Sequence, residues 1–218
     1  MSKRKCSPIP IFVAIPNQGS VTISVANMMV DIVTHCITTK KYEPTVRYSQ
    51  LCGIDHNRNK IVTEFLKTDC KWLLMMDDDN APLNNPLDLI AFNKDVIVCP
   101  TLMYKGDKMA YNVFKQHDKG LITMLYTGGR KLVRIDRGGT GCILIKREVL
   151  EGMKRPFESI INKETGERVM GEDLAFCEKV EQKGFKLWTH WGYSCSHYKT
   201  IDLNKIAKLV LKQVTKKV

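Results

Sequence analysis

The first hundred residues alternate two kinds of segment, and that alternation limits the possible folds more than any other feature. "IPIFVAIP", "PTVRYSQ", "KWLLMM" and "DVIVCP" are short, apolar or alternating runs of strand length. Between the first two, "NQGSVTISVANMMVDIVTHCITT" places Val21, Val25, Met28, Met29, Ile32 and Val33 on one helical face, with Ser20 as a candidate N-cap. "DHNRNKIVTEFLKT" places Ile61, Val62, Phe65 and Leu66 on another such face behind Asp55, and "PLDLIAFN" is a short helix started by a proline. Strand and helix in alternation predict a parallel sheet with helices on both faces. After Pro100 the segments become short, alternating and punctuated by Gly or Asp, as in "LITMLYTGG" and "KLVRIDRGGTGCILIK", which predicts hairpins. Helices "REVLEGM" and "EDLAFCEKVEQKG" and a strand "FKLWTH" follow. The expected class is therefore α/β, with a mostly parallel N-terminal half and a partly antiparallel C-terminal half, in one domain spanning 1–218.

Charge narrows the partner. Lys and Arg number 34 against 23 acids, a formal net charge of +11, which suggests an anionic partner: nucleic acid, an anionic membrane or a phosphorylated small molecule. The positive residues are spread along the chain and densest at its ends (Lys3, Arg4, Lys5; Lys205, Lys208, Lys212, Lys216, Lys217), which argues against a dedicated nucleic-acid stripe. The eight cysteines form no C-x-x-C pair and mostly sit in apolar runs, the usage of reduced, buried thiols. With no signal peptide before Ile11 and no apolar run of membrane-spanning length, the expectation is a soluble, cytoplasmic protein.

The sharpest chemical signal is "KWLLMMDDDN", where a basic chain ends an apolar strand in Asp77, Asp78 and Asp79. In an open α/β sheet ligands bind beyond the carboxyl ends of the strands, which is where this run falls. Three adjacent carboxylates repel one another, and a hard divalent cation relieves that repulsion. Extended backbone turns alternate side chains to opposite sides, so Asp77 and Asp79 can share a metal while Asp78 points away. The plainer alternative is an acidic turn capping the short helix that follows.

A strand ending in D-x-D, followed by "RGGTGCILIKREVL" and then "GEDLAFCEKVEQKGFKLW", resembles the GT-A class of nucleotide-sugar glycosyltransferases, and in particular the small domains encoded by chlorella viruses for glycan synthesis. The resemblance runs from about Ile11 to His197. It implies a nucleotide-binding half over about 8–100 and an acceptor half over about 101–200. It further implies a UDP-sugar donor, with glucose or a deoxyhexose as the transferred group, and Mn²⁺ or Mg²⁺ held by Asp77, Asp79 and His197. Ala14, Ile15 and Pro16 would meet the nucleoside, Asp78 the ribose or donor sugar, Arg58 the nucleotide pocket, and Gly139 and Gly141 the sugar ring. Asp173 would act as base or acceptor contact with Glu172 beside it in sugar binding, or the two acids would exchange these roles, and Trp191 would stack on a glycan acceptor, while Trp188 is expected in the core. These motifs accompany either anomeric outcome, with a lean to retention from the resemblance.

Two alternatives stand beside this reading. A sugar-phosphate nucleotidyltransferase should carry a Gly-rich, basic loop after its first strand, and "AIPNQGSV" is not one. A basic membrane- or nucleic-acid-binding module would rest on the C-terminal helix expected over about 201–216, where Ile206, Leu209, Val210 and Val214 share a face among lysines. That helix more often packs on its own domain. The chain can also be one domain of a longer polypeptide.

Overall fold

The computed structural model describes residues 7–51, 53–105, 108–126, 131–200, 202–204 and 206–208. Its N-terminal half runs β1 (Ile9–Asn17), α1 (Ile23–Thr39), β2 (Tyr42–Gln50), α2 (Ile54–Leu66), β3 (Trp72–Met76), β4 (Asn80–Pro82), a 3₁₀ turn (Pro86–Phe92) and β5 (Val96–Val98). Four short strands follow as two hairpins, β6 (Leu102–Lys105) with β7 (Lys108–Tyr111) and β8 (Val113–His117) with β9 (Gly120–Thr123). Then come β10 (Leu132–Ile135), β11 (Arg137–Gly138), β12 (Cys142–Lys146), α3 (Arg147–Leu150), β13 (Ile160–Ile161), β14 (Arg168–Met170), α4 (Glu172–Gln182), β15 (Leu187–His190) and β16 (Cys195–His197).

Seven strands form the central sheet in the order β10-β15-β5-β12-β3-β1-β2. β1 pairs in parallel with both β2 and β3, and β5 with β15, whereas β12 and β10 run against their neighbours. The sheet is thus mixed, parallel at its β2 end, as expected.

Both faces of this sheet are covered, and β1 shows why its sequence is a continuous apolar run. Phe12 and Ala14 enter the core on the α2 and α4 side, while Ile11, Val13 and Ile15 enter the core beneath α1. A strand alternates its side chains with period two, so a strand covered on both sides is apolar at every position. All five of these residues are at most 1% exposed, and each large one contributes about 1.5–3 kcal/mol through burial.

Two caps differ from expectation. α1 begins at Ile23 after Thr22, not after Ser20, and Thr22 turns its N–H and its hydroxyl to the Asp78 carbonyl, at 2.9 and 3.1 Å. At α2 the N-cap is Gly53, at φ 84°, and Asp55 lies inside the first turn. Of the expected C-terminal helix, residues 203–204 and 206–208 are helical, residue 202 is not, and the remainder of 201–216 lies outside the described residues. Among the described residues no helix is long and apolar enough to cross a membrane. The six described cysteines (Cys36, Cys70, Cys99, Cys142, Cys177, Cys195) are buried free thiols.

Candidate active site

At the carboxyl ends of β1 and β3 the sheet opens into a crevice of two adjoining chambers, divided by the acidic loop. One chamber, of about 370 Å³, lies against the β1–α1 loop and is lined by Pro16, Asn17, Gln18, Leu51, Asn57 and the three aspartates. The other, of about 230 Å³, lies against the glycine loop before β12 and is lined by Asn80, Thr140, Glu172, Asp173 and His197. Asp77, Asp79, Ile54 and Lys199 border both.

Backbone contacts hold the acidic loop in this position. Asp77 N–H donates to Gly141 O at 2.7 Å, and Tyr198 N–H donates to Asp79 O at 3.1 Å. The Asp78 carboxylate accepts the Gln18 N–H at 3.2 Å, tying the loop to the end of β1. The first chamber's wall is stitched by amides: Asn57 Nδ2 and Asn17 Nδ2 both donate to Ser49 O, at 2.8 and 3.3 Å.

Arg58 organises the acids. It projects from α2, is 3% exposed, and donates to both Asp77 oxygens at 2.8 and 2.9 Å and to Glu172 Oε1 at 2.9 Å. One guanidinium therefore links the end of β3 to the start of α4, one terminal nitrogen to each acid, a spread of donors that a single ammonium does not offer. Burial pushes the Asp77 carboxyl up to about 6 in spite of Arg58, and the charges of Asp79 and Asp78 add to the rise. Asp173 is also raised, chiefly by burial and further by Glu172, while the Leu174 N–H at 2.8 Å opposes the shift. Among the described residues Asp173 makes no ion pair, whereas Glu172 is committed to Arg58.

Asp79 faces the other way. Its Oδ2 accepts from Lys199 Nζ and stands 3.6 Å from His197 Nε2. His197 reaches this point because β16 pairs with β4 in the register His197↔Asn80. Its Nδ1 lies 3.0 Å from Leu102 O; a carbonyl only accepts, so Nδ1 carries a hydrogen and Nε2 is the nitrogen turned toward Asp79. A histidine whose second nitrogen donates to a carbonyl is oriented as metal-ligating histidines are. Among the described residues no three His, Cys, Asp or Glu side chains are grouped to hold a metal ion. Asp79 and His197 nevertheless fit a hard cation that takes one or two protein ligands and completes its shell with phosphate and water.

Not every residue marked in the sequence reaches the crevice. Ala14 and Ile15 are fully buried, because β1 is covered on both faces, and of the three only Pro16 lines the first chamber. Arg58 lines the second chamber rather than the first, with its two terminal nitrogens on Asp77 and Glu172. Asp77 shares the crevice with Asp79, but both of its oxygens are engaged by Arg58. Trp191, expected at an acceptor floor, is 4% exposed and packs edge-on against Tyr111 and Tyr126. Trp188, expected in the core, packs against it on the α1 side while staying half-buried, with Lys94 over its ring. Gly139 and Gly141 line the second chamber for a reason the sequence did not give: Gly139 lies so close to Asn112 that a Cβ would fall 2.2 Å from Nδ2. Gln18, Asn57, Asn112 and Lys199 were not foreseen. An amide or a lysine in a polar stretch carries no periodic signal.

No family model matches the chain, and no curated protein matches it. Its solved relatives share architecture at low identity. Over 88% of its length the chain has the fold of A197 from STIV. That match covers 87% of A197 at 20% identity, with a TM-score of 0.60. Looser similarities reach a glycosyltransferase involved in glycosylation of the major capsid of PBCV-1 (14% identity, 66% and 63% of the two chains, TM-score 0.36) and a UDP-glucose pyrophosphorylase complexed with UDP-glucose (9% identity, 95% and 81%, TM-score 0.45).

Proposed function

We propose that the chain is a GT-A-type glycosyltransferase that moves a hexosyl or deoxyhexosyl group from a UDP-sugar to a hydroxyl of a glycan acceptor. The observation that carries this reading is the two-chambered crevice at the carboxyl ends of β1 and β3, with the acidic loop between a polar nucleoside-sized chamber and a smaller one that holds Asp173. In this reading Pro16, Asn17, Gln18 and Leu51 bind the nucleoside, and Asp78 meets the ribose. The glycine loop at 139–141 forms one wall for the sugar. Asp79 and His197 would hold Mn²⁺ or Mg²⁺, and such a cation, when bound, neutralises charge on the departing diphosphate. Arg58 fixes Asp77 and Glu172, which frees Asp173 to meet the acceptor hydroxyl and hold its proton. The enclosing walls limit water, which would otherwise hydrolyse the donor.

The test is a screen of UDP-sugars for Mn²⁺-dependent UDP release with wild type and Asp173→Asn. The expected result is turnover with at least one sugar and a loss of roughly a hundredfold or more in the variant, with UDP binding retained. Equal turnover in the two proteins would contradict the assignment of Asp173, and absence of turnover with every sugar would contradict the activity.

A further inference from the structure

Lys199 stands where a cation is required, yet nothing in the reading above uses it. Its Nζ contacts Asp79 Oδ2, the oxygen that stands 3.6 Å from His197 Nε2. A carboxylate in a crevice lined by other acids is stabilised by positive charge beside it, and here the ammonium supplies that charge. The contact is also easy to break. The Lys199 side chain is 57% exposed and sits on a flexible four-carbon stem. It borders both chambers, so it can leave Asp79 without leaving the crevice.

We propose that Lys199 is the exchangeable resident counter-cation of the Asp79–His197 pair. In the free protein its ammonium neutralises Asp79. When a metal nucleotide binds, the ammonium gives up Asp79 and turns to the diphosphate oxygens at the boundary of the two chambers. Two charges thus trade places without any group being buried unpaired. Ammonium and divalent cation are rivals for Asp79 in the absence of nucleotide, but partners in its presence. The inference rests on the metal-nucleotide reading, and its signature is an opposite sign of effect in the two conditions.

The experiment compares wild type, Lys199→Met, which keeps the stem, and Lys199→Arg, which keeps the charge. Each is titrated with Mn²⁺ alone, read by electron paramagnetic resonance of free Mn²⁺, and with UDP at saturating Mn²⁺, read by calorimetry. Lys199→Met is expected to bind Mn²⁺ alone about three- to fivefold more tightly, since a partly exposed ion pair competes only modestly. The same variant should bind UDP several-fold more weakly, with Lys199→Arg close to wild type in both. Unchanged Mn²⁺ affinity in Lys199→Met, in a protein that does bind Mn²⁺, would overturn the exchange while leaving the metal reading intact. Binding of Mn²⁺ by none of the three, with or without UDP, would remove the metal reading and the exchange with it.

Discussion

Arg58 shows how far one side chain can set the chemistry of a site it does not itself perform. Two carboxylates from separate elements converge on it, and its removal would leave Asp77 and Glu172 close together and without their common cation. Arg58→Met should therefore lower stability by about 3 kcal/mol, measured by urea denaturation, because breaking a buried ion pair strands the surviving charges. Asp173 carries a second prediction at this scale. Burial raises its pKa, so as pH falls it takes up a proton earlier than an ordinary aspartate and ceases to be a base. The rate of sugar transfer should then fall on the acid side with an inflection above about 3.9, the usual aspartate value, in a pH profile of kcat/KM. An inflection at or below that value would exclude Asp173 as the group responsible. Residue types were legible in the sequence where chemistry was concentrated, as in "DDDN" and "GED". Arg58 was legible as a cation at a helix start, but its partners were not, because Asp77 and Glu172 lie 19 and 114 positions away.

At the scale of elements, the site exists because loops from distant segments lock against one another. The glycine loop is the clearest case. Asn112 accepts the Gly139 N–H on its carbonyl at 2.8 Å and also packs its side chain onto Gly139, while its Oδ1 accepts the Thr101 N–H at 2.8 Å. Gly139→Ala should cost about 1–3 kcal/mol by overpacking. Asn112→Ala in the same chain should recover part of that cost, a non-additivity that a double-mutant cycle in urea measures. The sequence showed where the strands and helices lie, since period-2 and period-3.6 apolar patterns follow directly from burial on one or two faces. It did not show the helix caps or the burial of Trp191. Caps depend on which carbonyl a loop happens to meet: Thr22 goes to Asp78, in a loop 56 positions on. Trp191 sits in a polar stretch, "THWGYS", but the aromatic rings that bury it come from the hairpin segment at 111 and from residue 126. Burial of that kind is set by tertiary packing, which local polarity does not report.

For the molecule as a whole, a mixed sheet covered on both faces leaves the carboxyl ends of its strands open for chemistry, and the chain's net positive charge favours the approach of an anionic ligand. Electrostatic attraction of this kind is screened by salt, so UDP affinity should weaken roughly threefold or more between 50 and 500 mM NaCl, measured by calorimetry. The central claim is that the crevice divided by Asp77, Asp78 and Asp79 is a metal-nucleotide site. Calorimetric titration of the wild-type protein and Asp79→Ala with UDP, each with and without Mn²⁺, tests it most directly. The account predicts binding that requires Mn²⁺ and is lost in Asp79→Ala. UDP binding of equal strength in both proteins, or none under any of these conditions, would contradict it.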